Sequence, residues 1–168
     1  MNHKIAYITG ATSGIGKASA ELFAKNGYNI IITGRRKERL DEFSVHLKST
    51  YAIDVLALNF DVRNINEVET VISSIPDSWK KINVLLNNAG LAAGLNTIQE
   101  GNINDWERMI DTNVKGLLYM TRTLAPIMIE NGFGHIINIG SIAGKEVYAN
   151  GNVYCATKHA VDALNKAM

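Results

Sequence analysis

Short apolar runs alternate with longer helical patterns along the whole chain, and this order constrains the fold more than any other feature. The runs are KIAYITG, YNIIITG, VLALNFDV, INVLLNNAG and HIINIGS. They lack the alternation of apolar and polar residues that marks a half-exposed strand, so both faces of each strand are expected to be covered. Strands that alternate with helices imply a parallel sheet with right-handed crossovers. We therefore predict a doubly wound, three-layer α/β domain.

Composition narrows the class of protein. The chain has 168 residues, of which 46% are hydrophobic and 20% charged, and its formal net charge is +1. This length suits one domain, and the balanced charge gives no reason to expect nucleic acid or an anionic membrane as a partner. The single cysteine, Cys155, has no partner for an intramolecular disulfide, which suits a reducing compartment. No apolar run approaches the ~20 residues of a membrane span. We expect a cytoplasmic protein.

Two helix starts can be placed from capping signals. Residues 64–67 and 104–107 each put a glutamate three positions after an asparagine, which resembles a capping box. The second helix is predicted to run toward Glu130, through Pro126, and to stop at NGFG.

A glycine-rich turn, TGATSGIG at residues 9–16, follows the first strand and opens into a helix. Its backbone N–H groups and the helix dipole favour an anion, and the missing side chains let a pyrophosphate approach. A P-loop would need Gly at 11 and Ser or Thr at 18, where Ala11 and Ala18 stand. A tight turn with no ligand is the remaining alternative. The predicted dinucleotide contacts are Gly10, Ala11, Thr12, Ser13, Gly14, Ile15 and Gly16.

The end of the second strand bears on which dinucleotide is bound. Arg35 and Arg36 stand there, with no acid before Glu38. In such folds a carboxylate at this place holds a ribose 2′-hydroxyl, whereas an arginine accommodates a 2′-phosphate. A merely solvated helix start explains the arginines poorly, because basic residues oppose the dipole in a first turn. We predict NADP(H) in preference to NAD(H).

Four motifs in order carry a resemblance to a known family: the glycine turn, NNAG at 87–90, Asn113 in the long helix, and Ser141 followed by Tyr154-x-x-x-Lys158. In these motifs the chain resembles the classical short-chain dehydrogenases/reductases. Its sequence around them is most similar to the NADP-dependent 3-hydroxy acid (serine-type) dehydrogenases. The resemblance implies a Rossmann-like fold and hydride transfer between nicotinamide and a hydroxyl or carbonyl carbon, with a small 3-hydroxy acid as the expected substrate. A 3-oxoacyl-carrier or general carbonyl reductase is the sibling alternative.

By this resemblance Tyr154 is the general acid/base and Lys158 its electrostatic partner. A free tyrosine titrates near ~10, so basic catalysis near pH 7 requires about 4 kcal/mol. An ammonium about 4 Å away supplies on the order of 4 kcal/mol at an effective dielectric of about 20. Residues i and i+4 share a helix face, so the helix can place this pair by itself.

The resemblance also implies roles for the other site residues. Ser141 would hydrogen-bond the substrate oxygen; its reading as a hydrolase nucleophile fails, because Ile139 stands where the nucleophile elbow needs glycine. Asn113 would hold a water that relays protons to Lys158, which would also bind the nicotinamide ribose. Four further cofactor contacts are implied, by Asp61, Val62, Asn88 and Tyr154. Asn87 is expected to tie neighbouring strands together.

No metal is predicted, because the histidines, His3, His46, His135 and His159, show no ligand spacing. Family members normally continue with further parallel strands, so residues 1–168 are expected to be a single NAD(P)-binding domain that lacks the last strands of the family fold. The fifth strand would then form an uncovered edge. A cofactor-binding module without turnover is the second function class. The resemblance alone implies a homo-oligomer, either a dimer or a tetramer.

Overall fold

The computed structural model describes residues 4–168, so His3 lies outside it. Five strands form one sheet in the order β3-β2-β1-β4-β5, and every neighbouring pair is parallel. This order confirms the doubly wound α/β prediction. The strands are β1 (Ile5–Ile8), β2 (Asn29–Gly34), β3 (Val55–Asn59), β4 (Ile82–Asn87) and β5 (His135–Asn138).

Helices cover both faces of the sheet. They are α1 (Gly14–Lys25), α2 (Lys37–Tyr51), α3 (Ile65–Ser73), α4 (Ile103–Ile110), α5 (Leu117–Glu130) and α6 (Asn152–Ala167). Ile30 and Ile32 pack into one core with α1 and α2, whereas Ile31 packs into the other with α3 and α5. All three isoleucines are fully buried, which contributes roughly 1.5–3 kcal/mol each. The continuous apolar runs arise because successive side chains enter opposite, equally covered faces.

The first predicted helix cap is confirmed and the second is wrong. Asn64 Oδ1 accepts hydrogen bonds from the backbone N–H groups of Asn66 and Glu67, and Glu67 Oε1 accepts one from Asn64 Nδ2. For α4 the cap is Asn102, whose Oδ1 accepts from the backbone N–H of Asn104 at 2.9 Å. The side chain of Asn102, two positions earlier, therefore satisfies one of the free N–H groups, and Asn104 lies inside the helix.

The long helix reaches Glu130 as predicted, but it is not regular throughout. A π-helical turn, Asp111–Gly116, joins α4 to α5. Such widened turns are frequent at functional sites. Gly116 lets this turn approach the loop after β3, since a Cβ there would lie 2.9 Å from Val62 Cγ2.

Two further features concern the periphery of the fold. Among residues 4–168, β5 is the last strand of the sheet and pairs with β4 alone. Within residues 4–168, no helix is both long and apolar enough to cross a membrane.

Candidate functional site

Loops that follow all five strands line one cleft of about 890 Å³. It opens beside β1 and β4, where the strand order reverses, which is the usual ligand position in such sheets. Most predicted site residues line the cleft: Gly10, Thr12, Ser13, Gly14, Ile15, Arg35, Arg36, Asp61, Val62, Asn88, Ser141, Tyr154 and Lys158. Ala11, Gly16 and Asn113 are instead buried behind the lining.

The glycine turn between β1 and α1 depends on backbone freedom at two positions. Gly10 has φ +65° and Gly14 has φ +54°, in the left-handed region that favours glycine. Gly16 is required for a different reason, because a Cβ there would collide with the Asn88 side chain and lie 2.5 Å from the Gly10 carbonyl oxygen. Ala11 is fully buried and its N–H donates to the Thr33 carbonyl at 3.0 Å.

Asn88, directly after β4, holds the glycine turn in place through hydrogen bonds. Its Nδ2 donates to the carbonyl oxygens of Thr9 and Gly10, at 2.9 and 3.1 Å. Thr9 Oγ1 in turn accepts from the backbone N–H groups of Asn88 and Ala89, both at 3.0 Å. Thr9 belongs to the glycine-turn motif, but the sequence alone indicated no role for it. Its hydrogen bonds link the end of β1 to the end of β4 and so fix the shape of the loop.

The two arginines at the end of β2 differ in their partners. Arg36 Nη2 donates to Thr12 Oγ1 at 2.8 Å and to Ser13 Oγ at 3.0 Å, so it is tied to the glycine turn. Arg35 Nη1 lies 3.7 Å from Asp61 Oδ2, and its side chain is half exposed. The structure thus gathers both guanidiniums and two hydroxyls at one rim of the cleft, a suitable set for a phosphate.

Asp61 is held by a residue that the sequence analysis did not single out. Arg63 donates to both carboxylate oxygens, with the shortest contact, Nη2 to Oδ2, at 2.6 Å. Burial raises the pKa of Asp61, but the hydrogen bonds from Arg63 outweigh it and the pKa lies below its ordinary value. In the sequence, the opposite charges of Asp61 and Arg63 two positions apart in FDVRN are the signal that could have indicated this pair.

Two buried hydroxyls that were not predicted face this region. Thr33 and Thr112 line the cleft, and each Oγ1 is buried without a hydrogen-bond partner within residues 4–168. A ligand atom in the cleft could satisfy them.

Tyr154 and Lys158 lie one turn apart at the start of α6. Lys158 Nζ donates to the Ile139 carbonyl at 2.7 Å and lies 6.0 Å from the Tyr154 ring centroid. Lys158 is only 8% exposed, and this burial lowers its pKa. Ser141 lines the same cleft from the loop after β5. Its Oγ accepts from the Ala143 N–H at 3.1 Å and keeps its own proton to donate.

Asn113 connects this end of the cleft to the loop after β4. Its Oδ1 accepts from Leu91 N–H, and its Nδ2 donates to the Leu91 carbonyl, both at 2.9 Å. The second Nδ2 hydrogen goes to Thr157 Oγ1 at 3.1 Å, and Thr157 donates to the Tyr154 carbonyl at 2.8 Å. Both amide hydrogens are therefore used within the protein, and the water contact of Asn113 stays a prediction.

Gly90, within NNAG, is another contributor that was not singled out. A Cβ there would lie 3.2 Å from Asn113 Oδ1 and 3.9 Å from Lys158 Nζ. Its missing side chain leaves room for a small group between them. In the neighbouring strand ends, Asn87 Nδ2 donates to Asn138 Oδ1 at 2.9 Å, as expected of a strand tie. Across the described part of the chain, no cluster of three or more His, Cys, Asp or Glu could hold a metal ion.

A glycine turn at the strand-order reversal, with arginines at one end and a Tyr/Lys pair at the other, defines a dinucleotide-binding α/β domain. The short chain dehydrogenase family model matches residues 4–168. The chain belongs to this family.

Relatives and solved structures agree with that assignment. The chain is 51% identical over 154 residues to the NADP-dependent 3-hydroxy acid dehydrogenase YdfG of Salmonella typhi, covering 92% of this chain and 60% of the relative. It is 43% identical to sulfoacetaldehyde reductase 2 of Chromohalobacter salexigens, covering 92% of this chain and 61% of the relative. A closed form of serine dehydrogenase complexed with NADP+ matches with a TM-score of 0.87 and 48% identity, covering 94% of this chain and 62% of that one. The chain thus spans about 60% of the length of the curated relatives it matches.

Proposed function

We propose that residues 1–168 form one nucleotide-binding domain of an NADP-dependent oxidoreductase that interconverts a hydroxyl and a carbonyl group. The observation that carries this proposal is one cleft with Arg35 and Arg36 at one end and Tyr154 with Lys158 at the other. The names of the relatives support a small 3-hydroxy acid as substrate. A 3-oxoacyl-carrier or general carbonyl reductase is the alternative within the same chemistry.

The residues of the cleft fit a bound NADP(H). The volume of about 890 Å³ lies within the range of about 300–1,000 Å³ typical of ligand pockets. The unpartnered hydroxyls of Thr33 and Thr112 offer hydrogen bonds, and Asp61 and Val62 line the part expected to receive the adenine. When bound, the nicotinamide would supply the hydride donor or acceptor.

The chain's own contribution to the chemistry is proton transfer and charge stabilisation. Tyr154 would exchange a proton with the substrate oxygen at its phenol oxygen. The nearby Lys158 ammonium is mostly shielded from water, so its charge acts more strongly on the phenolate than it would in bulk solvent. Ser141 would donate its free proton to the same substrate oxygen and stabilise developing charge.

The test is Tyr154→Phe, assayed by NADPH and NADH oxidation over a panel of 3-oxo acids and simple carbonyls. We expect kcat to fall about 100- to 10,000-fold while the dissociation constant of NADPH is kept. Tyr28→Phe, at the opposite end of β2, is the matched control and should be unchanged. Unchanged turnover in Tyr154→Phe would remove this side chain from the chemistry. NADPH binding without turnover on any carbonyl would favour the non-catalytic binding module.

We also propose a cytoplasmic homo-oligomer. Ile103, Ile110 and Leu118 are 66%, 37% and 38% exposed along the continuous helix α4–α5. Their spacing of roughly two helical turns places them on a common side, which a second copy could cover. Light scattering coupled to size exclusion tests this: Ile103→Glu should shift the molecule to a smaller assembly, and a monomeric parent protein would disprove it.

A further inference from the structure

A row of alternating charges runs along the cleft rim from the end of β2 to the π-helical turn. Arg35 Nη1 lies 3.7 Å from Asp61 Oδ2, and Arg63 Nη2 lies 2.6 Å from the same oxygen. The hydrogen bond to Asp61, and to a smaller extent the charge of Asp111, raises the pKa of Arg63. Asp111 itself pairs with Lys115 at 2.7 Å.

Arg63 occupies both oxygens of the Asp61 carboxylate. Oδ1 accepts from the backbone N–H and from Nε of Arg63, at 3.0 and 3.1 Å. Oδ2 accepts from Nε and Nη2, at 2.9 and 2.6 Å. The distance of 3.7 Å to Arg35 is beyond hydrogen-bond range, so Arg35 forms a longer ion pair with this carboxylate and no hydrogen bond to it.

This arrangement matters because Asp61 could oppose phosphate binding in two ways. An unscreened carboxylate beside Arg35 would bind the guanidinium through its fork, and it would repel a dianionic 2′-phosphate. Arg36 is already tied to Thr12 and Ser13, so Arg35 is the guanidinium at this rim with the most freedom to meet a ligand.

We propose that Arg63 is a positioning residue for cofactor selection: by binding Asp61 it keeps Arg35 available to the 2′-phosphate and so favours NADP(H) over NAD(H). The inference rests on the proposed function, because it assumes that a dinucleotide occupies this cleft. In this proposal Arg63 makes no contact with the cofactor and acts only through Asp61 and Arg35.

The test compares the dissociation constants of NADPH and NADH, measured by fluorescence titration on the whole chain. In Arg63→Gln the freed Asp61 should bind Arg35, and NADPH affinity should fall about tenfold, equivalent to about 1.4 kcal/mol. NADH affinity should stay within about twofold, since no 2′-phosphate is involved. Arg122→Gln is the matched control: Arg122 pairs with Glu69 at 2.9 Å on the exposed surface of α5.

A double variant separates this role from a merely structural one. Asp61→Asn with Arg63→Gln removes the carboxylate that would capture Arg35, so the NADPH-to-NADH preference should return toward that of the parent. Any contact between Asp61 and the adenine affects both cofactors alike and cancels in the ratio. Should Arg63→Gln fail to fold, Arg63→Lys, which keeps the charge but loses the fork, should give a loss of about threefold.

The possible outcomes separate a failure of the proposed function from a failure of the role proposed for Arg63. A parent chain that binds neither cofactor would overturn the proposed function. A parent chain that prefers NADPH, with an Arg63→Gln variant that keeps this preference or loses both affinities equally, would overturn this inference alone. A tenfold loss confined to NADPH, reversed in the double variant, supports it.

Discussion

The two ends of the cleft are built differently. At the glycine turn, Asn88 from the loop after β4 donates to the Thr9 carbonyl, and Thr9 Oγ1 accepts from the Ala89 N–H. The strands beneath are among the most buried parts of the chain. At the Tyr154 end the adjoining loop is open, with Ile142 78% and Val147 75% exposed. The end proposed to bind the phosphates, called the phosphate end below, is thus held in shape by the protein's own hydrogen bonds, which would lower the entropy lost on binding. The proposed substrate end has Tyr154 and Lys158 fixed on α6 but an exposed apolar surface beside them.

The largest expected effect breaks the chemistry and leaves the phosphate end intact. Lys158→Met should lower kcat about 1,000-fold, since Tyr154 loses the charge proposed to stabilise its phenolate. NADPH affinity should fall far less, because Lys158 would contact only the ribose.

The same variant also tests how the free energy of unfolding depends on pH. Burial lowers the pKa of Lys158, so the folded state disfavours its ammonium form. Between the lowered pKa and the ordinary pKa of lysine, the unfolded chain therefore binds more protons than the folded chain. Over this pH interval the parent's free energy of unfolding should rise relative to that of the variant. Urea unfolding between neutral and alkaline pH measures this difference. A parent protein that loses stability relative to Lys158→Met over that interval would contradict the desolvation argument.

The next effect breaks the phosphate end alone. Gly16→Ala would ordinarily favour a helix, but its Cβ would collide with the Asn88 side chain and crowd the Gly10 carbonyl. We expect a loss of about 1–3 kcal/mol in the free energy of unfolding and at least tenfold weaker NADPH binding. Thermal unfolding and cofactor titration check both. Leu22→Ala, 63% exposed in the same helix, is the control and should change little; equal losses in the two variants would deny Gly16 its close-approach role.

A smaller effect concerns the charged rim between the two ends. Hydrogen bonds from Arg63 overcome the effect of burial and lower the pKa of Asp61. Its contribution to stability, about 1 kcal/mol, is present above the unfolded pKa and is lost as pH falls through the folded pKa. Asp61→Asn should therefore be less stable than the parent at neutral pH and equal to it in acid. Chemical denaturation from neutral to acid pH measures this difference, and a difference that stays constant over that range would contradict the account.

These regions also differ in how far the sequence could predict them. The strand runs and the glycine turn are local patterns, and the structure places them as expected. The cap at Asn102 and the π-helical turn at Asp111–Gly116 were not foreseen, because two nearby asparagines compete for one helix start and no residue type demands a widened turn. The bonds between Asn113 and Leu91 join positions far apart in the chain, so only the fold reveals them. Arg63 was the nearest miss, since its partner is two residues away.

The smallest effect tests whether the open end contributes to folding at all. Val147 is 75% exposed, so Val147→Ala removes almost no buried apolar surface and should change the free energy of unfolding by less than about 0.5 kcal/mol. Val68→Ala, at a fully buried position of α3, deletes the same atoms from the core and should cost about 2 kcal/mol. Chemical denaturation of this matched pair compares the two environments directly. If Val147→Ala instead destabilised the chain as much as Val68→Ala, the loop would be packed in solution, and the contrast between a fixed phosphate end and an open substrate end would fail. An unchanged stability together with an altered KM would place Val147 on the path of the substrate.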